Sequence, residues 1–110
     1  GASLLRYDPR EQSNFQDVVA EVAPGCGATR DEIVAALHAE GILARKYFWP
    51  GCHNMQPFRD LYPHAGLLLP NTKSVAERVI VLPTGTALPP DAIEVIASVF
   101  RVLGARGVRP

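Results

Sequence analysis

Apolar side chains alternate with polar ones, or cluster, in three short segments, and each segment predicts a β-strand. Residues 15–23 alternate, which places every second side chain on the same face. Residues 42–49 form a second, partly aromatic segment, ended by Pro50, which lacks the donor that a strand ladder needs. Residues 79–82 read Val-Ile-Val-Leu, which is typical of a buried strand. The chain therefore has the pattern of a small β-sheet.

Two longer segments have the 3.6-residue spacing of amphipathic helices. The first begins at the capping box Thr29-x-x-Glu32 and is predicted to run to about Glu40. The second begins near Pro90, which suits a first helical turn, and is predicted to end at Gly104. Four residues are predicted to form the apolar side of this second helix: Ile93, Ile96, Phe100 and Leu103.

Residues 54–71 contain three prolines and are not expected to form a long helix. We expect one helical turn near residues 58–62 and a short helix from Asn71 or Thr72 to about Arg78. Together the elements predict an α/β fold of the α+β type. This fold is a two-layer sandwich, in which a small three- to four-stranded sheet carries its helices on one face.

The length of 110 residues, with 47% hydrophobic and 20% charged residues, is typical of one globular domain. Residues 1–13 are polar and irregular and are interpreted as an arm or a domain junction. Residues 14–104 are interpreted as the domain and residues 105–110 as a tail. Because the chain starts without an initiator methionine, we expect it to be an excised piece of a longer protein.

The charge balance argues against binding to nucleic acid or to an anionic membrane. Eleven basic and eleven acidic residues give a formal net charge of zero, whereas such binding requires a positive excess. Arg101, Arg106 and Arg109 are interpreted as a solvated helix end. Cys26 and Cys52 are expected to be free thiols. No apolar run is long enough to span a membrane, so a cytoplasmic location is expected.

Three sequence blocks follow one another along most of the chain. They are LARKYFWPGCHNMQPF at residues 43–58, LPNT at residues 69–72 and VLPTGT at residues 81–86. In this order and spacing they resemble the C-terminal domain of the DegT/DnrJ/StrS sugar aminotransferases, over residues 13–103. Those enzymes use pyridoxal phosphate to transaminate nucleotide-linked keto-sugars, with glutamate as the amino donor. The resemblance implies the small domain of a fold-type I aminotransferase, beside a larger N-terminal domain and in a homodimer.

The resemblance also implies that this chain alone does not hold pyridoxal phosphate. A pyridoxal-phosphate transaminase needs a lysine amine for its resting Schiff base, and the chain contains only Lys46 and Lys73. In the family, the Schiff-base lysine and the other residues that bind the cofactor lie in the large domain, and the matching blocks carry none of them. The expected cofactor is therefore pyridoxal phosphate in the parent enzyme, with none bound by this chain alone.

The candidate substrate contacts are His53, Arg45 and Tyr47. By resemblance, the turn that ends in His53 approaches the mouth of the active site, where an imidazole would donate to a sugar hydroxyl or a phosphate. Arg45 would bind phosphate oxygens, and Tyr47 would stack or hydrogen-bond at the same mouth. Each residue also has a structural interpretation: a turn histidine bonded to a local carbonyl, a strand arginine without a ligand, and a packed tyrosine. No catalytic residue is predicted in the chain.

Two other chemistries are rejected. Cys52 and His53 are adjacent, but neighbouring residues rarely aim at one another, and no third group orients them as a nucleophile and its base. Adding Cys26, His38 and His64 produces no compact spacing typical of a zinc site. No metal site is predicted.

Two functions remain open. The first is the C-terminal domain of a nucleotide-sugar aminotransferase, which binds its sugar nucleotide together with the large domain of the parent chain. The second is a stand-alone α/β module for binding or interaction, without enzymatic activity. An upstream coding sequence for a lysine-bearing domain would favour the first.

Overall fold

A three-stranded antiparallel sheet with strand order β1-β2-β3 forms the centre of the computed structural model. The structure describes residues 1–107, so Arg109 and the end of the predicted tail lie outside the described residues. In chain order the strands and helices are β1 (Ala2–Leu4), β2 (Val18–Val22), α1 (Arg30–Ala39), α2 (Phe58–Leu61), α3 (Pro70–Ala76), β3 (Val79–Leu82) and α4 (Ala92–Gly104). Short 3-10 turns occur at Cys52–Asn54, Ala65–Leu68 and Ala105–Gly107.

The core lies between the sheet and the two longest helices. β2 is the central strand, and Ala20 on β2 pairs with Ile80 on β3. Because paired side chains share a face of the sheet, both residues point towards the same layer. α1 and α4 cover that layer and contribute Ile33, Leu37 and Leu103 to the same buried cluster. The predicted two-layer α+β fold is thus confirmed.

The start of α1 follows from local hydrogen bonding. The side-chain oxygen of Thr29 accepts from the backbone N–H of Glu32 at 3.3 Å, while the Glu32 carboxylate accepts from the backbone N–H of Thr29 at 2.7 Å. This reciprocal pair satisfies two helix donors and confirms the predicted capping box. Gly41 then turns the chain away with a φ of +77°, a conformation that favours glycine.

The strand predicted at residues 42–49 is wrong. Only Arg45 of this segment pairs with the sheet, through an isolated antiparallel bridge to Val81. The two backbone N–H groups of this pair donate to the opposite carbonyls over 2.9 Å and 2.8 Å. The segment therefore contacts the free edge of β3 at one point and does not extend the sheet.

Local turns account for the rest of this segment. The backbone N–H of Ala44 donates to the carbonyl of Ile42, and the N–H of Trp49 donates to the carbonyl of Lys46. These turns use the donors that a strand ladder would need. Burial of Ile42 and Ala44 then comes from packing in the core cluster rather than from strand pairing.

The predicted N-terminal arm contains a strand that the sequence pattern did not indicate. β1 pairs antiparallel with β2, with Ser3 opposite Glu21, and the hydroxyl of Tyr7 donates to the carbonyl of Asp17. All three residues of β1 are exposed, so no apolar alternation marks them. The division into an arm, a domain and a tail remains a prediction.

Two smaller differences concern the helices. α4 ends at Gly104 as predicted, Leu103 is buried as predicted, and Ile96 and Phe100 pack against the core. Ile93, however, is 77% exposed, and its neighbour Ala92 is buried instead. α3 begins at Pro70, one residue before the predicted cap, because proline suits the first position of a helix. The predicted helical turn near residue 58 is present as α2.

Within residues 1–107, no helix combines the length and apolar character needed to cross a membrane. In the same residues, no three His, Cys, Asp or Glu side chains lie close enough together to hold a metal ion. Cys26 and Cys52 are both free thiols, as predicted.

Candidate functional site

The side chains of Arg45 and Tyr47 line a cleft of about 360 Å³ beside the free edge of β3. Nη1 of Arg45 donates to the Tyr47 hydroxyl at 2.6 Å, and the guanidinium carbon lies 5.6 Å from the centroid of the Tyr47 ring. Both side chains are exposed. Tyr47 thus engages one nitrogen of the guanidinium, and the other N–H donors of this cleft-lining side chain suit an anionic oxygen ligand.

The backbone bridge between Arg45 and Val81 determines this arrangement. We call residues 45–51 the aromatic turn. The bridge holds Arg45, the first residue of this turn, against β3. Arg45 and Tyr47 lie on the same side of this turn, since their side chains are hydrogen-bonded to each other. Phe48 stacks on Tyr47 with ring centroids 5.4 Å apart.

The aromatic turn is also tied to the first residues of α1. The Arg30 guanidinium carbon lies 4.8 Å from the centroid of the Trp49 ring, a cation–π contact. Nζ of Lys46 lies 3.2 Å from Oδ1 of Asp31, and Nε of Arg30 lies 2.7 Å from the same oxygen. Two consecutive residues of a rigid helix therefore hold two residues of the turn.

Asp31 has an altered acidity as a result. Partial burial raises the pKa of its carboxyl, but the hydrogen bonds from Lys46 and Arg30, together with their positive charges, outweigh that effect. The net result is a pKa below the ordinary value of 3.8. Asp31 is therefore a carboxylate at neutral pH, as its two ion pairs require.

His53 occupies a different cavity, of about 260 Å³, together with Cys52, Phe58 and Tyr62. Its imidazole lies directly over the backbone of Gly51, where an added Cβ would come within 2.7 Å of the ring carbon Cε1. Gly51 also has a φ of +95°, so both the turn and the close approach of the ring favour glycine here.

The hydrogen bonding of His53 differs from that of a clearly structural histidine. Nε2 of His38 lies 2.7 Å from the carbonyl oxygen of Ala44 and so helps to join α1 to the following segment. No side-chain hydrogen bond within the described residues engages the His53 ring. An added Cβ would lie 2.9 Å from Nδ1 at Gly51 and 3.6 Å from Nε2 at Gly66, so both ring nitrogens lie beside glycines.

The structure brings together two of the three predicted contact residues. Arg45 and Tyr47 line one cleft and bond to each other, whereas His53 lines a separate cavity. Sequence reasoning missed Arg30, which is 4% exposed although it is charged. A further groove of about 740 Å³, between the sheet and α4, is mainly apolar and contains none of the predicted contact residues.

Comparison with known proteins places these residues in a family context. Residues 1–101 match the DegT/DnrJ/EryC1/StrS aminotransferase family. The chain belongs to this family. A solved structure of DesI, determined in the presence of its TDP-sugar product, has 39% sequence identity and a TM-score of 0.82. That similarity covers 97% of this chain and 27% of DesI.

Two further members of the family are named dTDP-4-amino-4,6-dideoxy-D-glucose transaminase. The protein from Escherichia coli is 32% identical over 88 residues, which are 80% of this chain and 24% of that protein. The protein from Shigella dysenteriae is 28% identical over 101 residues, 92% of this chain and 27% of that protein. The chain thus spans about a quarter of the length of these relatives.

The DegT/DnrJ/EryC1/StrS enzymes are pyridoxal-phosphate-dependent, and a lysine amine holds this cofactor as a Schiff base. Nζ of Lys46 is paired with Asp31 at 3.2 Å, and Lys73 is exposed on α3. Neither lysine lines any of the three cavities described above. A Schiff-base lysine must stand over a pocket that holds the cofactor ring and its phosphate. The described residues therefore do not fit a pyridoxal-phosphate site.

Proposed function

We propose that this chain is the C-terminal domain of a cytoplasmic nucleotide-sugar aminotransferase, where it forms part of the binding site for the sugar nucleotide. The parent enzyme transfers an amino group from glutamate to a keto-deoxysugar nucleotide. The observation that carries the proposal is the similarity to DesI, whose structure was determined with a TDP-sugar product, over 97% of this chain. The similar protein from Escherichia coli is named as a transaminase of a dTDP-linked amino sugar, which supports the same substrate class.

Arg45 and Tyr47 form the phosphate-facing part of this proposed site. Arg45 presents the donors that are not used by Tyr47 to the diphosphate of the nucleotide, since a guanidinium pairs well with phosphate oxygens. The 2.6 Å hydrogen bond to the Tyr47 hydroxyl supports this role, because it orients the guanidinium before a ligand arrives.

His53 contacts another part of the same ligand in this proposal. Its cavity has Phe58 and Tyr62 as neighbours, and aromatic side chains of this kind suit the apolar face of a sugar ring. The imidazole supplies a hydrogen bond to a sugar hydroxyl or a phosphate. Because His53 and Arg45 lie in different cavities, an extended ligand such as a nucleotide sugar is required to contact both.

The cofactor and the catalytic lysine belong to another part of the parent enzyme, the large N-terminal domain. When bound there, pyridoxal phosphate supplies the chemistry that exchanges the amino group between the two substrates. The residues of this chain bind and orient the nucleotide sugar. We further propose that the intact enzyme is a homodimer, which is consistent with the exposed apolar side chains of Phe48, Leu67 and Leu68.

The proposal is tested with the parent enzyme, expressed from the coding sequence that includes this chain. We expect bound pyridoxal phosphate by absorbance, and glutamate-dependent amination of a dTDP-linked keto-deoxysugar by product analysis. A parent coding sequence without a lysine-bearing domain, or a parent protein without this activity, would instead support the stand-alone binding module.

The 110-residue chain alone provides the matching control. We expect cooperative unfolding, because the sheet and the two long helices share one core. We expect no stoichiometric binding of pyridoxal phosphate and no glutamate turnover, because neither lysine has a cofactor pocket. Absorbance titration and amino-acid analysis measure both properties. Turnover that depends on one of the two lysines would contradict the prediction.

A further inference from the structure

Arg30 is charged, yet it lies in the interior at the beginning of α1. Its side chain is 3% exposed, and Nη1 donates to the carbonyl oxygens of Ala76 at 2.9 Å and Val79 at 3.4 Å. A cation near a helix N-terminus opposes the helix dipole, and burial of a charge is costly unless it is paired. These acceptors and the carboxylate of Asp31 compensate for that cost. Arg30 therefore occupies its position for a reason other than helix stability.

The remaining contact of Arg30 indicates that reason. Its guanidinium faces the ring of Trp49, which is 42% exposed. Asp31 adds a second connection through Lys46. Both connections end in the aromatic turn, within four residues of Arg45, and both begin on a helix that the core holds rigidly.

We propose that Arg30 is a positioning residue, which, with Asp31, fixes the aromatic turn so that Arg45 and Tyr47 open into their cleft. The inference rests on the proposed function for what the cleft binds, but the positioning itself is a property of this chain. The single bridge from Arg45 to Val81 fixes only the start of the turn. Arg30 and Asp31 fix the remainder, and loss of Arg30 lets Trp49 move.

Hydrogen exchange of the 110-residue chain tests the positioning step. The Trp49 amide is hydrogen-bonded to the Lys46 carbonyl at 2.8 Å within the turn, and it exchanges when the turn opens. In Arg30→Met, we expect this amide to exchange about two- to thirtyfold faster, the factor that corresponds to loss of one cation–π contact. Acceleration should exceed that of the core amide of Ile80.

Arg78→Met is the matched control for the loss of a structural arginine. Arg78 is half-buried and binds the Ser74 carbonyl and Glu21, but it does not contact the turn. We expect it to lower the free energy of unfolding without selective acceleration at Trp49. Equal acceleration of Trp49 and Ile80 in Arg30→Met would overturn the proposal, since Arg30 would then stabilise only the fold.

Lys46→Gln covers the case in which Arg30→Met does not fold. Lys46 is partly exposed, so this variant removes one connection to the turn without a buried cavity. Selective acceleration at Trp49 supports the proposal, and an unchanged rate overturns it.

Steady-state kinetics of the parent enzyme test the link to the ligand. In Arg30→Lys, we expect at least about a twofold rise in KM for the nucleotide sugar, because the aromatic turn has its binding conformation in a smaller fraction of the molecules. The glutamate half-reaction should keep its rate. A faster-exchanging turn with unchanged KM would overturn the link to the cleft, whereas inactivity of the wild-type parent would overturn the proposed function alone.

Discussion

At the residue scale, the packing of the His53 ring bears on its proposed role in ligand binding. Its imidazole is held over Gly51 and also approaches Gly66, where an added Cβ would lie 3.6 Å from the ring. This packing restricts the orientation of the ring. Because the described residues supply no hydrogen bond to its nitrogens, replacement of the side chain by alanine would remove this packing and, as proposed, one hydrogen bond to the ligand.

We predict that His53→Ala in the parent enzyme slows the half-reaction with the nucleotide sugar and leaves the glutamate half-reaction nearly unchanged. Loss of one hydrogen bond to a polar or charged ligand group is worth about 1–3 kcal/mol, roughly a five- to hundredfold change in rate or affinity. Single-turnover measurements of each half-reaction provide the rates.

His64→Ala is the control for this prediction. His64 is exposed and does not line the His53 cavity, so both half-reactions should keep their rates. If His53→Ala lowers both rates equally together with the melting temperature, His53 has a structural role.

A second residue-scale prediction concerns pH. Since the pKa of Asp31 is lowered in the folded protein, its contribution to stability is present above pH 3.8 and is lost as the pH falls through the folded pKa. We expect the difference in unfolding free energy between wild type and Asp31→Asn to shrink below that pH. Urea unfolding at a series of pH values measures it. A constant difference from neutral pH to the acid range would contradict the prediction.

Single residues also show where sequence reasoning reaches its limit. Arg45 and Tyr47 were predicted to share a site through the family resemblance, and the hydrogen bond between them shows that the two side chains are neighbours. The role of Arg30 could not be predicted, because its acceptors Ala76 and Val79 lie 46 and 49 residues further along the chain. A charged residue in the first turn of a helix is normally solvated, and only the tertiary fold reveals its burial.

At the element scale, α1 is specified by local interactions and can be tested separately. We predict that Thr29→Ala destabilises the chain by about 1 kcal/mol, because the backbone N–H of Glu32 loses its acceptor. For a chain of this size the melting temperature should fall by about 4–8 °C. Thr29→Ser keeps the hydroxyl and should retain most of the stability. Equal losses in both variants, measured by thermal unfolding, would exclude the cap as the cause.

Elements that depend on long-range pairing were harder to predict than α1. β3 matched its prediction because a continuous apolar run is buried on both faces. The prediction for the aromatic segment was wrong. Its residues favour a strand, but they also fit a turn, and here Pro50 follows and only Arg45 pairs with the sheet. β1 has no apolar pattern, so its pairing with β2 could not be deduced from composition.

At the scale of the whole molecule, large apolar side chains remain exposed. Phe15, Tyr47 and Trp49 are exposed, and so are Leu67 and Leu68. Side chains of this size are normally covered by another surface. In the parent enzyme, as proposed, the large domain or a second subunit covers them.

We therefore predict that the 110-residue chain self-associates at high concentration. Sedimentation equilibrium should show a weight-average mass above 11.9 kDa that rises with concentration. Leu67→Gln combined with Leu68→Gln should reduce the association, because both side chains are more than 80% exposed and contribute little to the core. A strict monomer at all concentrations, or no difference between the variant and wild type, would contradict the prediction.

The pairing of β1 with β2 has a consequence for the solubility of shortened forms. β1 covers one edge of β2, and its position within residues 1–13 means that a truncation at the start of the predicted domain would remove it. The backbone groups of β2 that now pair with the N-terminal residues, among them the carbonyl of Val19 and the N–H of the following Ala23, would then face solvent along an extended, mainly apolar strand. Such an edge is a template for intermolecular β-pairing. The N-terminal residues would thus protect the domain against amyloid-like aggregation, whatever they contribute to stability.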